Sequence, residues 1–268
     1  MKTDRSSKIH WKAYSVPKLG NRPEENEDAI YPEIAQQSIT SQAGFSCAIA
    51  DGATQTSFSR IWARLLVTAA VKKYLPERLS ELTLTVRQQW IDHIATLNLP
   101  WHAEEKVQQG SFSTLLWLSL KQSTNTRAVK YSGTWQSLAI GDSCLFQIRK
   151  NTLRTHFPPL SASDFKNHPL LLSTIPIRNE VFWKNTQDFH INGDWCSGDD
   201  FFLMTDALAA WFLHALEKGN LPNLLSEMVT NLHSIDGYTH WIQVLRTGAQ
   251  IKNDDTSIIW IHIDDSQA

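Results

Sequence analysis

Glu27 and Asp28, Asp51, Asp142, Asp206 and the pair Asp254–Asp255 each stand at the end of a β-like apolar run. A carboxylate at a strand end is exposed yet rigidly aimed. Several that converge repel one another unless cations neutralise them. Hard divalent ions such as Mg²⁺, Mn²⁺ or Ca²⁺ take oxygen ligands and suit that role. The chemistry this points to is metal-dependent and acts on something phosphorylated. Taken singly, none of these acids is decisive. An Asp-Gly after a strand, as at Asp51-Gly52, is more often a turn former than a ligand. Asp142 in Gly141-Asp142-Ser143 and Asp254-Asp255 before Thr256 read the same way. Their order and company carry the weight.

The elements that must position these acids can be traced along the chain. Phe45, Cys47 and Ile49 alternate with small residues and predict a strand over 45–50, broken by Asp51-Gly52-Ala53-Thr54. Phe58, Ile61-Trp62, Leu65-Leu66 and Ala69 then follow at steps of three and four, which predicts a helix from about Ser57 to Tyr74-Leu75, stopped by Pro76. A second helix is expected over roughly Leu84 to Leu97, with His102 to Gln109 extending it after Pro100. Ser111 to Leu120 reads as a central strand, and Trp135 to Arg149 as two strands about the turn at Gly141-Asp142-Ser143. The stretch from Pro158 to Asp200 holds four prolines and is the least regular, which suggests a long surface flap. Phe201 to Thr205 is a short strand ending at Asp206. A helix over about Leu208 to Lys218, a mostly helical Leu221 to Leu245 and a last strand over Thr256 to Ile263 complete the order. Helices come in pairs between groups of strands. That argues against a doubly wound parallel sheet and for stacked sheets with helices outside.

Composition sets outer bounds. The chain has 268 residues with 42% hydrophobic and 19% charged, which fits one large globular domain, residues 1–268. A formal net charge of −2 gives no reason to expect capture by nucleic acid or by an anionic membrane. The three cysteines, Cys47, Cys144 and Cys196, form no CxxC pair, which argues against a disulfide framework or a zinc site. Cys47 and Cys144 read as small core residues. The first ten residues are polar and no apolar stretch is long enough to span a membrane, so a cytoplasmic protein is expected. Most of the 11 tryptophans, Trp62, Trp117 and Trp211 among them, are expected in the core. A monomer is the default expectation.

Six stretches, taken together, resemble the metal-dependent type 2C protein serine/threonine phosphatase family. They are Gly20-Asn21-Arg22 with Asn26-Glu27-Asp28-Ala29, then Ala48-Ile49-Ala50-Asp51-Gly52-Ala53-Thr54, Gly110-Ser111-Phe112-Ser113-Thr114-Leu115, Leu138-Ala139-Ile140-Gly141-Asp142-Ser143, Phe202-Leu203-Met204-Thr205-Asp206 and Asp254-Asp255-Thr256-Ser257-Ile258-Ile259. They follow the family's order from about residue 8 to 263. The resemblance implies an α+β fold, a four-layer α-β-β-α sandwich of two antiparallel sheets flanked by helix pairs. It implies two Mg²⁺ or Mn²⁺ ions at one end of the sheets. Glu27 and Asp51 would be ligands, Asp51 bridging both ions, with the Gly52 backbone carbonyl beside them and Asp206 and Asp254 completing the second ion. Asp28 would stand behind the ligands or reach an ion through a water, Asp255 would support the turn, and Arg22 would clamp the substrate phosphate, since a planar guanidinium matches two phosphate oxygens. Two such ions acidify a shared water that can attack phosphorus in line, so no serine or cysteine nucleophile is needed. None of the ten histidines matches the family well enough to be named as the general acid.

This chain departs from the family pattern in four places. Arg22 stands five residues before Glu27 where four is common. Thr205-Asp206-Ala207 replaces Thr-Asp-Gly, which would strain Ala207 if the position needs positive φ. Ala210 stands where a further aspartate is frequent. That aspartate would join Asp142 at a third metal, so its loss argues against a third ion. Cys144 replaces the arginine of Gly-Asp-Ser-Arg. The expected activity is hydrolysis of phosphoserine and phosphothreonine on protein substrates. The alternative is a low-activity or inactive regulatory protein on the same fold, suggested by Ala207, Ala210 and the lengthened Arg22 loop. Substrate choice is expected to lie in the flap at about 158–200.

Overall fold

The computed structural model describes residues 7–33, 36–40, 44–54, 56–73, 78–123, 132–166 and 169–265. The larger sheet is ordered β3-β1-β13-β12-β8-β9, from β3 (Gln36–Thr40), β1 (Ser7–Val16), β13 (Thr256–Asp265), β12 (Asp199–Met204), β8 (Cys144–Arg149) and β9 (Thr152–Phe157). The second is ordered β11-β7-β6-β4-β2, from β11 (His190–Trp195), β7 (Gly133–Ile140), β6 (Leu115–Gln122), β4 (Phe45–Ala50) and β2 (Ala29–Tyr31). Every paired strand runs antiparallel to its neighbour. A two-stranded ladder joins β5 (Phe112–Ser113) to β10 (Leu172–Ser173). Helices are α1 (Ser59–Lys73), α2 (Leu79–Ala95), α3 (Trp101–Gln109), α4 (Glu180–Lys184), α5 (Asp206–Glu217), α6 (Leu221–Asn231) and α7 (Ile235–Thr247).

The period-two pattern of the strands explains how the sheets pack. In β4, Phe45, Cys47 and Ile49 join a cluster built only from strands of both sheets, while Ala48 and Ala50 face a cluster with α1 and α2. In β1, Ile9, Trp11 and Ala13 enter the strand-only cluster, and Tyr14 and Val16 pack with α5, α6 and α7. The helices supply matching stripes. Trp62, Ala63, Leu66, Val67 and Ala70 of α1 are all buried at helical spacing. Trp62, Trp117 and Trp211 are core residues as expected, and so are Cys47 and Cys144.

Two expectations need adjusting, and a third falls outside the described residues. The second helix begins at Leu79, five residues earlier than its apolar pattern suggests. The expected end of the first helix at Tyr74-Leu75-Pro76 lies outside the described residues. The stretch 158–200 is also no simple flap. It pairs β10 with β5 and β11 with β7, and it buries Leu172 and Phe182 in the cluster under α1 and α2. Strand β11 pairs without a break, but its polar interior, Asn192-Gly193-Asp194, hides its period; a side chain at Gly193 would collide with Trp135, its Cβ only 2.7 Å from the indole ring.

Candidate metal centre

Asp51 leaves the end of β4 and is held by the junction of β5 and β6. Its N–H donates to the Thr114 hydroxyl at 2.8 Å, and its carbonyl accepts from the Thr114 N–H at 2.9 Å and the Ser113 hydroxyl at 2.8 Å. The Thr114 hydroxyl also meets the Ser143 hydroxyl at 2.9 Å, which ties Asp51 to the turn carrying Asp142. That turn requires Gly141: its φ is +101°, and a Cβ would lie 2.5 Å from the Thr114 methyl. The Gly110 to Thr114 motif therefore acts as a clamp on Asp51. Gly52 is similarly confined, since a Cβ there would lie 2.8 Å from the Glu27 carbonyl oxygen.

Glu27 and Asp28 precede β2 and diverge. The Glu27 carboxylate accepts from the Ser59 hydroxyl at 2.6 Å and lies 3.8 Å from the Lys18 ammonium. Ser59 opens α1 directly after Phe58, which is held at φ +65°. Asp28 is buried. Its Oδ2 accepts from the Thr205 hydroxyl at 3.0 Å, and its Oδ1 is buried without a hydrogen-bond partner. Asn26 locks the segment: its amide donates to Ser15 at 2.8 Å, and its side-chain oxygen accepts from the Asp28 N–H at 3.0 Å. Arg22 stands apart from the aspartates. Its side chain is 78% exposed and lies along Glu25 at 3.5 Å.

Asp206 is the first residue of α5, where a carboxylate suits the positive end of the helix. Ala207 is the second, buried and helical, so no strain arises from its lacking glycine's freedom. Asp254 and Asp255 lie in the turn before β13 and do different things. Asp255 is buried and accepts from the Lys18 N–H at 2.8 Å and the Glu27 N–H at 2.7 Å, joining three segments of chain. Asp254 is partly exposed and pairs with the Lys252 ammonium at 2.5 Å, which also stands 3.9 Å from Asp206. Behind the turn, the Arg246 guanidinium donates to the Asp254 carbonyl at 2.6 Å, the Pro17 carbonyl at 3.0 Å and the Thr256 hydroxyl at 3.1 Å.

These acids act on one another. Burial raises Asp51 well above the usual carboxylate range, and the charges of Asp28, Asp206, Asp142 and Asp254 raise it further. Burial and then Asp206 push Asp142 up to about 7. Asp28 is raised by burial and by Asp255 and Asp206, against the pull of the Ser257 and Thr205 hydroxyls. Asp206 is raised by burial and Asp254, partly offset by Lys252. The structure thus brings Asp28, Asp51, Asp142, Asp206 and Asp254 together, with Asp255 behind them. Glu27 is not among the carboxylates that raise Asp51 most. Among the described residues, no group of three His, Cys, Asp or Glu side chains is arranged to hold a metal ion as it stands. The donor set nonetheless fits hard divalent ions: it is all oxygen, its members repel one another, and Asp28 Oδ1 is buried and makes no hydrogen bond, the nearby Ser257 hydroxyl being directed to Ser15 at 2.6 Å.

The family model for protein phosphatase 2C matches residues 22–245. The chain belongs to the protein phosphatase 2C family. A search by sequence among curated proteins gave no match. Solved structures share the fold at low identity. The catalytic domain of the serine/threonine protein phosphatase PstP in complex with 2 manganese ions aligns at TM-score 0.56 and 14% identity, over 97% of this chain and 100% of that one. The Mycobacterium tuberculosis phosphatase PstP/Ppp aligns at 0.53 and 14%, over 96% and 99%. RsbX in complex with magnesium aligns at 0.51 and 16%, over 96% of each chain. The family places this chain among metal-dependent serine/threonine phosphatases, which are hydrolases.

Several residues that build the centre escaped the sequence reading. Lys252 and Arg246 are a lysine in a polar turn and an arginine in the last turn of a helix, with nothing in their type to mark them. Thr205 and Ser59 lie within or beside quoted stretches, and only the fold shows what their hydroxyls hold. Among the described residues, no helix is long and apolar enough to cross a membrane.

Proposed function

We propose that this protein removes phosphate from phosphoserine and phosphothreonine of protein substrates, using two Mg²⁺ or Mn²⁺ ions held by Glu27, Asp51, Asp206, Asp254 and the Gly52 carbonyl. The observation that carries the reading is the gathering of five mutually repelling carboxylates, brought from separate strand ends, in a chain of this family. The bound ions would supply an acidified water and neutralise the phosphate's charge. The chain's own groups do the rest. Asp51, clamped by Thr114 and Ser113, fixes the middle of the donor set. Thr205 donates to Asp28 Oδ2 and so turns the bare Oδ1 as the acceptor left for an ion or its water. Glu27 takes the outer side, beside Lys18 and Ser59. Asp255 braces the turn that presents Asp254. Arg22 meets the substrate phosphate by turning from Glu25, a movement its exposure permits. Two ions are proposed rather than three, because Ala210 offers no carboxylate to accompany Asp142.

The test is turnover of phosphopeptides and an aryl phosphate with Mn²⁺ or Mg²⁺, with chelator, and by Asp51→Asn. Chelation should abolish turnover, and Asp51→Asn should lower kcat/KM by about 100-fold or more, which is about 2.7 kcal/mol of barrier. Equal rates with and without metal would overturn the reading.

A further inference from the structure

Lys252 occupies a telling position. Its ammonium lies 2.5 Å from Asp254 and 3.9 Å from Asp206, between two of the carboxylates to which the proposed function assigns an ion. Its charge also acts on Asp142, and the charge of Asp51 acts on it in turn. The backbone fixes that aim. Ile251 is buried in the cluster beneath α5 and α7, and the Asp254 N–H donates to the Lys252 carbonyl at 3.0 Å, so the lysine is held from both sides. The nearby cations do other work. Lys18 faces Glu27, and Arg246 grips backbone oxygens behind the turn. Most of the Lys252 side chain is exposed, which gives the ammonium room to swing out.

We propose that Lys252 is a built-in counter-ion that occupies the Asp206–Asp254 side of the centre and must be displaced for a divalent ion to bind there. The inference rests on the reading that these two aspartates hold a metal. It makes metal loading an exchange. The lysine lowers the repulsion that would otherwise strain the ion-free protein, and it weakens the second ion by the same interaction. No bond is made or broken, and the ammonium moves as a charged group into solvent.

Calorimetric titration of the full chain with MnCl₂, for the wild type and for Lys252→Gln and Lys252→Arg, tests this. Lys252→Gln should tighten the weaker of two Mn²⁺ ions by about 1.5- to fivefold, as expected for a partly exposed ion pair. The tighter ion should shift less, and Lys252→Arg should stay near wild type. Displacement itself is read by amine labelling with Mg²⁺ present or absent: Lys252 should label faster in Mg²⁺ when followed by peptide mass spectrometry. If Lys252→Gln binds Mn²⁺ no more tightly than wild type, or if Mg²⁺ leaves Lys252 labelling unchanged or slower, the inference is wrong. A wild type that binds no Mn²⁺ at all overturns both this inference and the functional reading, whereas normal Mn²⁺-dependent turnover with an unaltered Lys252→Gln isotherm overturns this inference alone.

Discussion

Asp51 carries two opposite demands. As a carboxylate it is wanted for a divalent ion, yet without one it stands among Asp28, Asp206, Asp142 and Asp254. Its folded-state pKa lies above the unfolded value because burial and those neighbours disfavour the charged form. Stability from such a group is present below the unfolded pKa and is lost as pH rises through the folded one. Near neutral pH and above, a neutral isostere therefore relieves the fold. In chelator, Asp51→Asn should melt above wild type by roughly 2–4 °C, the response of a chain near this size to about 1 kcal/mol. In Mn²⁺ the order should reverse, because ligand binding raises melting only where the site survives. Scanning calorimetry in both buffers reads this, and a variant that melts below wild type in chelator contradicts it. Individual residues were legible to different depths. The aspartates announce themselves because acids at strand ends need a reason. Between Asp254 and Asp255 only the resemblance chose, and the structure ties Asp255 to two backbone N–H groups. What Glu27 and Arg22 touch was not visible. A side chain's direction depends on neighbours such as Ser59 and Glu25 that meet it only in the folded chain.

Among the elements, the turn from β7 to β8 links two parts of the centre. Gly141 holds φ +101°, and the space a Cβ would need is filled by Thr114, with its Cγ2 at 2.5 Å and its Cβ at 2.8 Å. Thr114 in turn accepts from the Asp51 N–H. Gly141→Ala adds backbone strain and pushes Thr114 off its place, so two costs combine. The expected loss is about 1–3 kcal/mol from the strained conformation, accompanied by weaker Mn²⁺ binding. Chemical denaturation and calorimetry of the same sample separate the two. Lost stability with unchanged Mn²⁺ affinity would mean that Thr114 does not carry the strain to Asp51. Elements with a clear period, such as β4, α1 and α5, could be read directly because one face is buried and the other is not. Strand β1 was missed although its residues alternate, since Lys8, His10 and Lys12 make the segment look polar. Strand β11 was hidden by its Asn-Gly-Asp interior. The start of α2 was read late, because Leu79 and Leu82 are interleaved with Ser80 and Glu81.

At the scale of the whole molecule, the stretch between β9 and β12 decides how the two sheets and their helices cohere. A proline-rich sequence with no period invites the reading of a long surface flap. The pairing of β10 with β5 and of β11 with β7 says otherwise, because both partners are far away in the chain and leave no local trace. Phe182 in α4 makes the point testable. It is 1% exposed, meets Phe189 edge-on at 5.1 Å, and belongs to the cluster that includes Trp62, Leu66 and Trp90. Phe182→Ala removes a large side chain from a packed interior and should cost about 3–5 kcal/mol, seen as a melting temperature lower by roughly 6–20 °C. Ile177, three-quarters exposed in the same stretch, serves as the control, and Ile177→Ala should leave melting nearly unchanged. A free flap would give the contrary pattern, with Phe182→Ala altering peptide preference while melting stays at the wild-type value. The same packing limits where this stretch can govern substrate choice. Residues such as Ala162 and Phe165, which line a recess beside Asp206 and Lys252, can vary without disturbing the cluster under α1 and α2, whereas Leu172 and Phe182 cannot.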